Sequence, residues 1–287
     1  MKANVAMVWL LASLCLLVLP AQAQTSREMR KQIEASMLVA GTVDIERDGS
    51  VSAHALDNVD KLPASVVGLV DKAMAQLRFE PLLVDGAPVL ARAKMNLRIR
   101  ARPMGEGNTQ LSIASAQFGE IDKTSPDQPT SRDMPHPKYP FDAMRAGGQG
   151  VVYLIVQIGR DGKVMDAVAE QVNLTVVGSA RDMERMRRSF ADSALDAVRK
   201  WVFNPPTTGE LVNAPYWSQR ISVGYTLGGS RKEHDTPYGS WHGYLPGPRQ
   251  RVPWITDQDA LGSPDAVAGG EAYPLYSRFR LLTPLQG

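Results

Sequence analysis

Residues 158–164 read IGRDGKV, and residues 45–51 have already spelled IERDGSV. An Asp-Gly pair between apolar runs is a hairpin signal, because a tight two-residue turn needs positive φ and Gly adopts it without a Cβ clash. Each phrase is therefore expected at the tip of a β-hairpin. Ahead of the first, Val39, Gly41, Val43 and Ile45 alternate along MLVAGTVDIE; ahead of the second, Val152, Leu154, Val156 and Ile158 alternate along GVVYLIVQIG. A period of two marks strands. Beyond the tips, Val51, Ala53 and Ala55 alternate in the first copy, and KVMDAVAEQV does so less cleanly in the second.

A helix is predicted after each hairpin. LPASVVGLVDKAMAQL places Val66, Leu69, Val70, Ala73 and Leu77 on one stripe, and RDMERMRRSFADSALDAVRKW does the same with Met183, Met186, Phe190, Ala194, Ala197 and Trp201. Both end in an aromatic followed by Pro, LRFEP at 77–81 and WVFNP at 201–205, where Pro blocks further helix. Gly86 and Gly209 then turn the chain into a last strand. In the first copy that strand is ARAKMNLRIRA, with Ala91 to Ala101 alternating against Arg92, Lys94, Asn96, Arg98 and Arg100, a core face and a solvated basic face. In the second copy it is YWSQRISVGYTL. TQLSIASAQFG at 109–119 is a candidate for one more strand.

The fold class is therefore α+β: two tandem ββαβ modules, each a small antiparallel sheet with helices on one face, followed by an irregular tail rich in Pro, Gly and aromatics. The boundaries are a leader at 1–23, an amino-terminal segment at 24–37, a first module at 38–118, a linker at 119–134, a second module at 135–227 and the tail at 228–287. The second module carries an insertion, NLTVVGSARDM, before its helix. The tail is expected to wrap over the modules with little regular structure, ending in a short strand at YSRFRLL, or to cover the edge a partner would use.

Composition narrows the function. With 287 residues, 44% hydrophobic content and a formal net charge of +2, the chain lacks the concentrated basic surface that nucleic acid requires. Lys2, the apolar run from Val5 to Leu19 and the small-residue site ending at Ala23 describe an export signal, giving a mature start at Gln24. The run is shorter than the roughly 20 residues a membrane helix needs, so cleavage is favoured over an inner-membrane anchor. The one cysteine, Cys15, lies in this leader, so the mature chain has no disulfide or thiolate metal site. His54, His136, His234 and His242 are scattered, GRDGK lacks phosphate-loop spacing, and HDTPYGSWH reads as polar side chains facing water in a Pro- and Gly-rich tail. No enzyme constellation and no cofactor is expected.

The run HPKYPFDAMRAGGQGVVYLIVQIGRDGKV, continued by DSALDAVRKWVFNPPTTGE and RISVGYTL, resembles the carboxy-terminal domain of the TonB family of energy transducers. The matching pieces are Tyr139 and Pro140, a short helix ending in Gly, the strand start at Gly150, the Asp-Gly hairpin, the helix at Leu195 to Ala197, the Trp-x-Phe-x-Pro ending and the last strand. They cover about a third of the chain; the first module resembles a degenerate copy without the Tyr-Pro lead-in.

The resemblance implies a periplasmic domain that grips a short extended segment, the TonB box, of outer-membrane transporters for iron complexes or other nutrients. Pairing would use main-chain hydrogen bonds at an open sheet edge. Carried over to this chain, the partner-binding residues are Lys138, Tyr139 and Pro140 beside the edge strand residues Arg220, Ile221, Ser222, Val223, Gly224 and Tyr225. Trp201 is expected to be plain core. Familiar transducers also keep an uncleaved membrane helix, driven by a proton-powered inner-membrane motor, and a long Pro-rich spacer. Here the leader is cleavable, Lys138 stands where well-known members carry Gln, and residues 119–137 reach at most about 65 Å. A motor partner is implied only if the leader stays. The alternative is a soluble envelope scaffold or adaptor that uses the same fold without energy transduction.

Overall fold

A computed structural model describes residues 26–105, 107–119, 124–228, 237–255, 272–275 and 278–285. The leader and its cleavage site lie outside the described residues. In chain order the elements are α1 (Ser26–Arg30), β1 (Glu34–Ile45), β2 (Val51–Leu56), α2 (Ala64–Met74), β3 (Leu83–Val84), β4 (Ala87–Pro88), β5 (Ala91–Gly105), β6 (Asn108–Phe118), β7 (Thr130–Asp133), α3 (Phe141–Arg145), β8 (Gly150–Gly159), β9 (Val164–Leu174), α4 (Ala180–Val198), β10 (Val202–Asn204), β11 (Tyr216–Tyr225), β12 (His242–Tyr244) and β13 (Ala272–Pro274). The chain is mixed α and β with antiparallel sheets.

In the first sheet β1 is central: β5 pairs along its whole length on one side, and β2 and β12 share the other. β6, the candidate extra strand, extends the sheet beyond β5. In the second sheet the order is β13-β11-β8-β9. Each sheet carries one helix on one face. Val66, Val70, Ala73 and Met74 of α2 bury against Met37, Val39, Val43, Met95 and Leu97; Met183, Met186, Phe190, Ala194 and Val198 of α4 bury against Val152, Leu154, Val156, Ile158 and Ile221. The apolar stripe and the period-two strands thus meet, which is where most of the burial free energy resides.

Both Asp-Gly pairs sit at hairpin turns, but the turn is longer than the expected two residues. Glu46 N–H donates to Ser50 O at 2.8 Å and Gly49 N–H to Glu46 O at 2.9 Å, so residues 47–49 form the loop. Gly159, Lys163 and Gly162 repeat this at 2.8 Å and 2.8 Å. Only the glycines have positive φ, 81° at Gly49 and 79° at Gly162. The Asp carboxylates instead accept the N–H two residues on, Ser50 at 2.9 Å and Lys163 at 3.0 Å. A three-residue loop with a left-handed Gly lets Asp stay in ordinary backbone space.

Two expectations about faces change. The basic side of β5 is not fully solvated: Arg98 and Arg100 are half-buried, and Arg102 donates to the mostly buried Glu34 at 2.8 Å. In β8 both faces are buried, since Val151, Tyr153 and Ile155 are as enclosed as their alternates. The insertion before α4 lengthens β9 and opens the helix at Ser179, whose Oγ accepts the Asp182 N–H at 3.2 Å.

The tail is more ordered than expected. β12 pairs with the start of β1, and the next residue, Leu245, exchanges backbone bonds with Leu174 of β9 at 2.8 and 3.0 Å, so one segment touches both sheets. Met29 and Ile33, near the chain's start, pack into the core of the second sheet, whereas Phe279, Leu281 and Leu285 pack onto that of the first.

Candidate functional site

The lead-in to the second sheet is held from three sides. The Trp201 indole N–H donates to Pro135 O at 3.0 Å, the Ser193 hydroxyl donates to Lys138 O, and the Tyr139 hydroxyl donates to Gly148 O. The Tyr139 ring stands edge-on to Phe190 (5.8 Å) and Tyr225 (5.6 Å), which stack on each other at 4.4 Å. Helix α4, the lead-in and the last strand thus share one aromatic cluster. Burial pushes the Tyr225 hydroxyl up to about 12 and raises that of Tyr139 as well. Trp201 is core, 3% exposed, as expected.

The lead-in also begins earlier than Tyr139. β7 pairs with β10, the Gln219 amide donates to Pro129 O at 2.7 Å, and Thr207 N–H donates to Pro126 O at 2.8 Å.

Of the nine expected partner-binding residues, three lie in the lead-in and six on β11, where Ile221, Val223 and Tyr225 face the core under α4 and Arg220 faces Glu170 on the opposite side of the sheet. Lys138 is exposed, and Tyr139, Pro140 and Val223 are half-buried. Gly224 is exposed, while Arg220, Ile221, Ser222 and Tyr225 are buried. Tyr139 and Tyr225 touch, so the lead-in and the far end of β11 form one surface. At the buried positions only the main chain can meet a partner.

Arg220 shows why. Glu170 sits at a bulge in β9, opposite the register step between Tyr153 and Leu154, and its carboxylate reaches across β8. It accepts from Arg220 Nε at 2.9 Å and Nη2 at 3.2 Å, and from Arg249 of the tail at 2.9 and 2.6 Å. The Glu170 and Arg220 side chains are 3% and 8% exposed. Two guanidinium groups on one carboxylate offset the cost of burying it, and a partner cannot take Arg220 without stranding that charge.

The outer edge of β11 is not wholly open. β13 pairs with it in the register Gln219 to Pro274, Arg220 to Tyr273 and Ile221 to Ala272, and Leu275 N–H donates to Ser218 O at 3.0 Å. Among the described residues, 223–225 pair with β8 alone. The opposite edge, β9, is covered by residues 245–250: Gly247 N–H donates to Asn173 Oδ1 at 3.2 Å and Gln250 N–H to Glu170 O at 2.7 Å.

Sequence reasoning missed two exposed apolar residues beside this surface, Phe141 (63% exposed) and Met144 (43%) on α3, with the Arg145 guanidinium 5.7 Å from the Phe141 ring centroid. Their i, i+3 spacing on the face away from buried Ala143 was the available signal. Among the described residues no group of three or more His, Cys, Asp or Glu is placed to hold a metal ion.

The family model for the Gram-negative bacterial TonB protein C-terminal matches residues 135–222. Two curated relatives, both named Protein TonB and from two strains of Xanthomonas campestris pv. campestris, are 40% identical over 94 residues, 33% of this chain and 35% of each relative. The match therefore spans about a third of the length of those relatives. No solved structure matches the chain. The lead-in, the hairpin, α4 and most of β11 all fall inside the matched stretch, and this part of the chain is a TonB family carboxy-terminal domain.

Proposed function

We propose that residues 135–227 bind an extended segment of an outer-membrane TonB-dependent transporter in the periplasm, by strand addition at the outer edge of β11 beside Lys138, Tyr139 and Pro140, in support of energy-dependent nutrient uptake. The observation that carries this is that the edge of β11 takes an added strand, β13, in regular antiparallel register. Its main-chain groups are therefore presented in pairing geometry. Affinity would come from backbone bonds and specificity from Tyr139, Val223 and the exposed Phe141 and Met144. NMR titration of the mature chain with TonB-box-type peptides tests it, with shifts expected along residues 218–227 and at Tyr139. Ser218 and Arg220 bond outward to β13, so Gly224, on the same alternation, presents its N–H at the outer edge; Gly224→Pro removes that N–H and should weaken binding, provided circular dichroism finds the fold intact. Absence of binding, or shifts away from both regions, hands the function to the second reading, a soluble envelope scaffold or adaptor without energy coupling. The self-covered edge favours that reading.

The first module is proposed as a degenerate copy of the second. Strand orders β2-β1-β5 and β9-β8-β11 match, with the helix between second and third strands in each. Both hairpins step register at the corresponding place beside the tip, skipping Ser52 between Val51 and Ala53 and Met165 between Val164 and Asp166; the second hairpin has a further step at Glu170. The strand that β7 adds to β10 has a counterpart too: Leu281 bridges Phe79, so the chain's far end supplies the first module with what the linker supplies to the second.

A further inference from the structure

We propose that residues 272–275 are a tethered strand that gates the edge of β11, so that an extended partner binds only by displacing them. This rests on the binding reading above and adds its regulation.

The fit of the strap is specific. In an antiparallel ladder, residues facing each other alternate between bonded and non-bonded pairs. The Leu275 N–H bond to Ser218 makes that pair a bonded one, so Tyr273 and Arg220 form the next bonded pair. Pro274, which has no N–H, falls opposite Gln219 at the non-bonded position. The sequence AYPL therefore pairs with this edge without losing a donor.

The strap is also small compared with the cover on the other edge. Along β9, residues 245–250 are locked by backbone bonds, by the Arg249 ion pair to buried Glu170, and by Arg187, which donates to Leu245 O and Pro246 O at 3.3 and 3.2 Å. Gly247 lies so close that an added Cβ would sit 2.3 Å from Val172 O. Among the described residues β13 makes three register pairs, from Gln219 to Ile221. Residues 223–225 continue the same edge next to Tyr139. An incoming strand can therefore pair first at 223–225 and advance toward Ser218, replacing each bond lost by β13 with one of its own.

Release need not free the chain end. Beyond the strap, Glu80 N–H donates to Arg280 O at 2.9 Å, Leu282 N–H to Arg78 O at 2.8 Å, and Arg78 N–H to Thr283 Oγ1 at 3.0 Å. Anchored on the first module, the strap competes intramolecularly, at an effective concentration on the order of millimolar.

The test uses the mature full chain and a synthetic TonB-box peptide of about seven residues. Tyr273→Pro and Leu275→Pro, singly and together, remove donors from the strap and leave residues 278–285 intact. Apparent affinity scales with the fraction of molecules whose edge is free, so a strap closed nine-tenths of the time predicts roughly tenfold tighter binding in the double variant. In the unaltered protein, hydrogen exchange at the Tyr273 and Leu275 amides should accelerate as peptide is added. Equal affinity in all forms, or peptide binding with those amides still protected, overturns the gate while leaving the binding site standing. No binding even to the double variant overturns both.

Discussion

Phe203 N–H donates to Gly162 O at 2.8 Å, and Phe79 N–H donates to Gly49 O at the same 2.8 Å. In each sheet a residue in the segment just beyond the helix is thus tied to the tip of the hairpin before it. A Cβ on Gly162 would lie 2.2 Å from Phe203 O, and one on Gly49 would lie 1.9 Å from Phe79 O. The hairpin glycine therefore answers to two demands, a positive φ and a backbone passing alongside.

These two demands can be separated by substitution. Gly86 has φ of 77° with open space around its missing Cβ, so Gly86→Ala should cost only the conformational part, about 1–2 kcal/mol. Gly162→Ala should cost that plus displacement of Phe203, in total roughly 3 kcal/mol or more. Denaturant unfolding of the two variants checks the ranking. Equal losses would mean that the contact with Phe203 contributes nothing.

The buried carboxylate predicts an asymmetry. Glu170→Gln leaves the Arg220 guanidinium buried without its counter-charge and should destabilise by about 3–5 kcal/mol. Arg249→Ala should cost about 1 kcal/mol, because Arg249 is 41% exposed and Arg220 still neutralises Glu170. Urea midpoints of the two variants decide it.

Tyr225 gives a prediction at high pH. Its hydroxyl is pushed from the usual 10.0 up to about 12, chiefly by burial, and it donates to Phe190 O at 3.2 Å. The folded state thus holds this proton more tightly than the unfolded one. Its contribution to stability is complete below pH 10 and is lost as pH rises through about 12. The difference between tyrosinate absorbance titrations of the unaltered protein and Tyr225→Phe should show one group ionising near pH 12. A difference centred near 10 would contradict the burial.

Processing at the amino terminus is checked by intact mass. Protein recovered from the periplasm should begin at Gln24, given the AQA site that ends the leader. A mass that retains residues 1–23 in a membrane fraction would favour coupling to a motor over a soluble adaptor.

Much of this protein is written locally in its chain. The two Asp-Gly tips, the alternation of Val152 to Ile158, the stripe from Met183 to Trp201 and the Tyr-Pro lead-in each depend on residues a few positions apart, and periodicity reports such spacings directly. What lies across space was not legible in this way. Every extended segment offers the same main-chain donors and acceptors, so nothing local marks residues 272–275 as the strand on β11, or the chain's last residues as the bridge to Phe79. Glu170 looked like one polar residue in an uneven strand. Only the fold brings it across β8 to Arg220, because a bulge turns its side chain inward on a face that alternation alone assigns to solvent. Local pattern determined the elements and which stripes must be buried; chain path, by choosing which edge each short strand meets, decided how much of the edge of β11 is already paired within the chain.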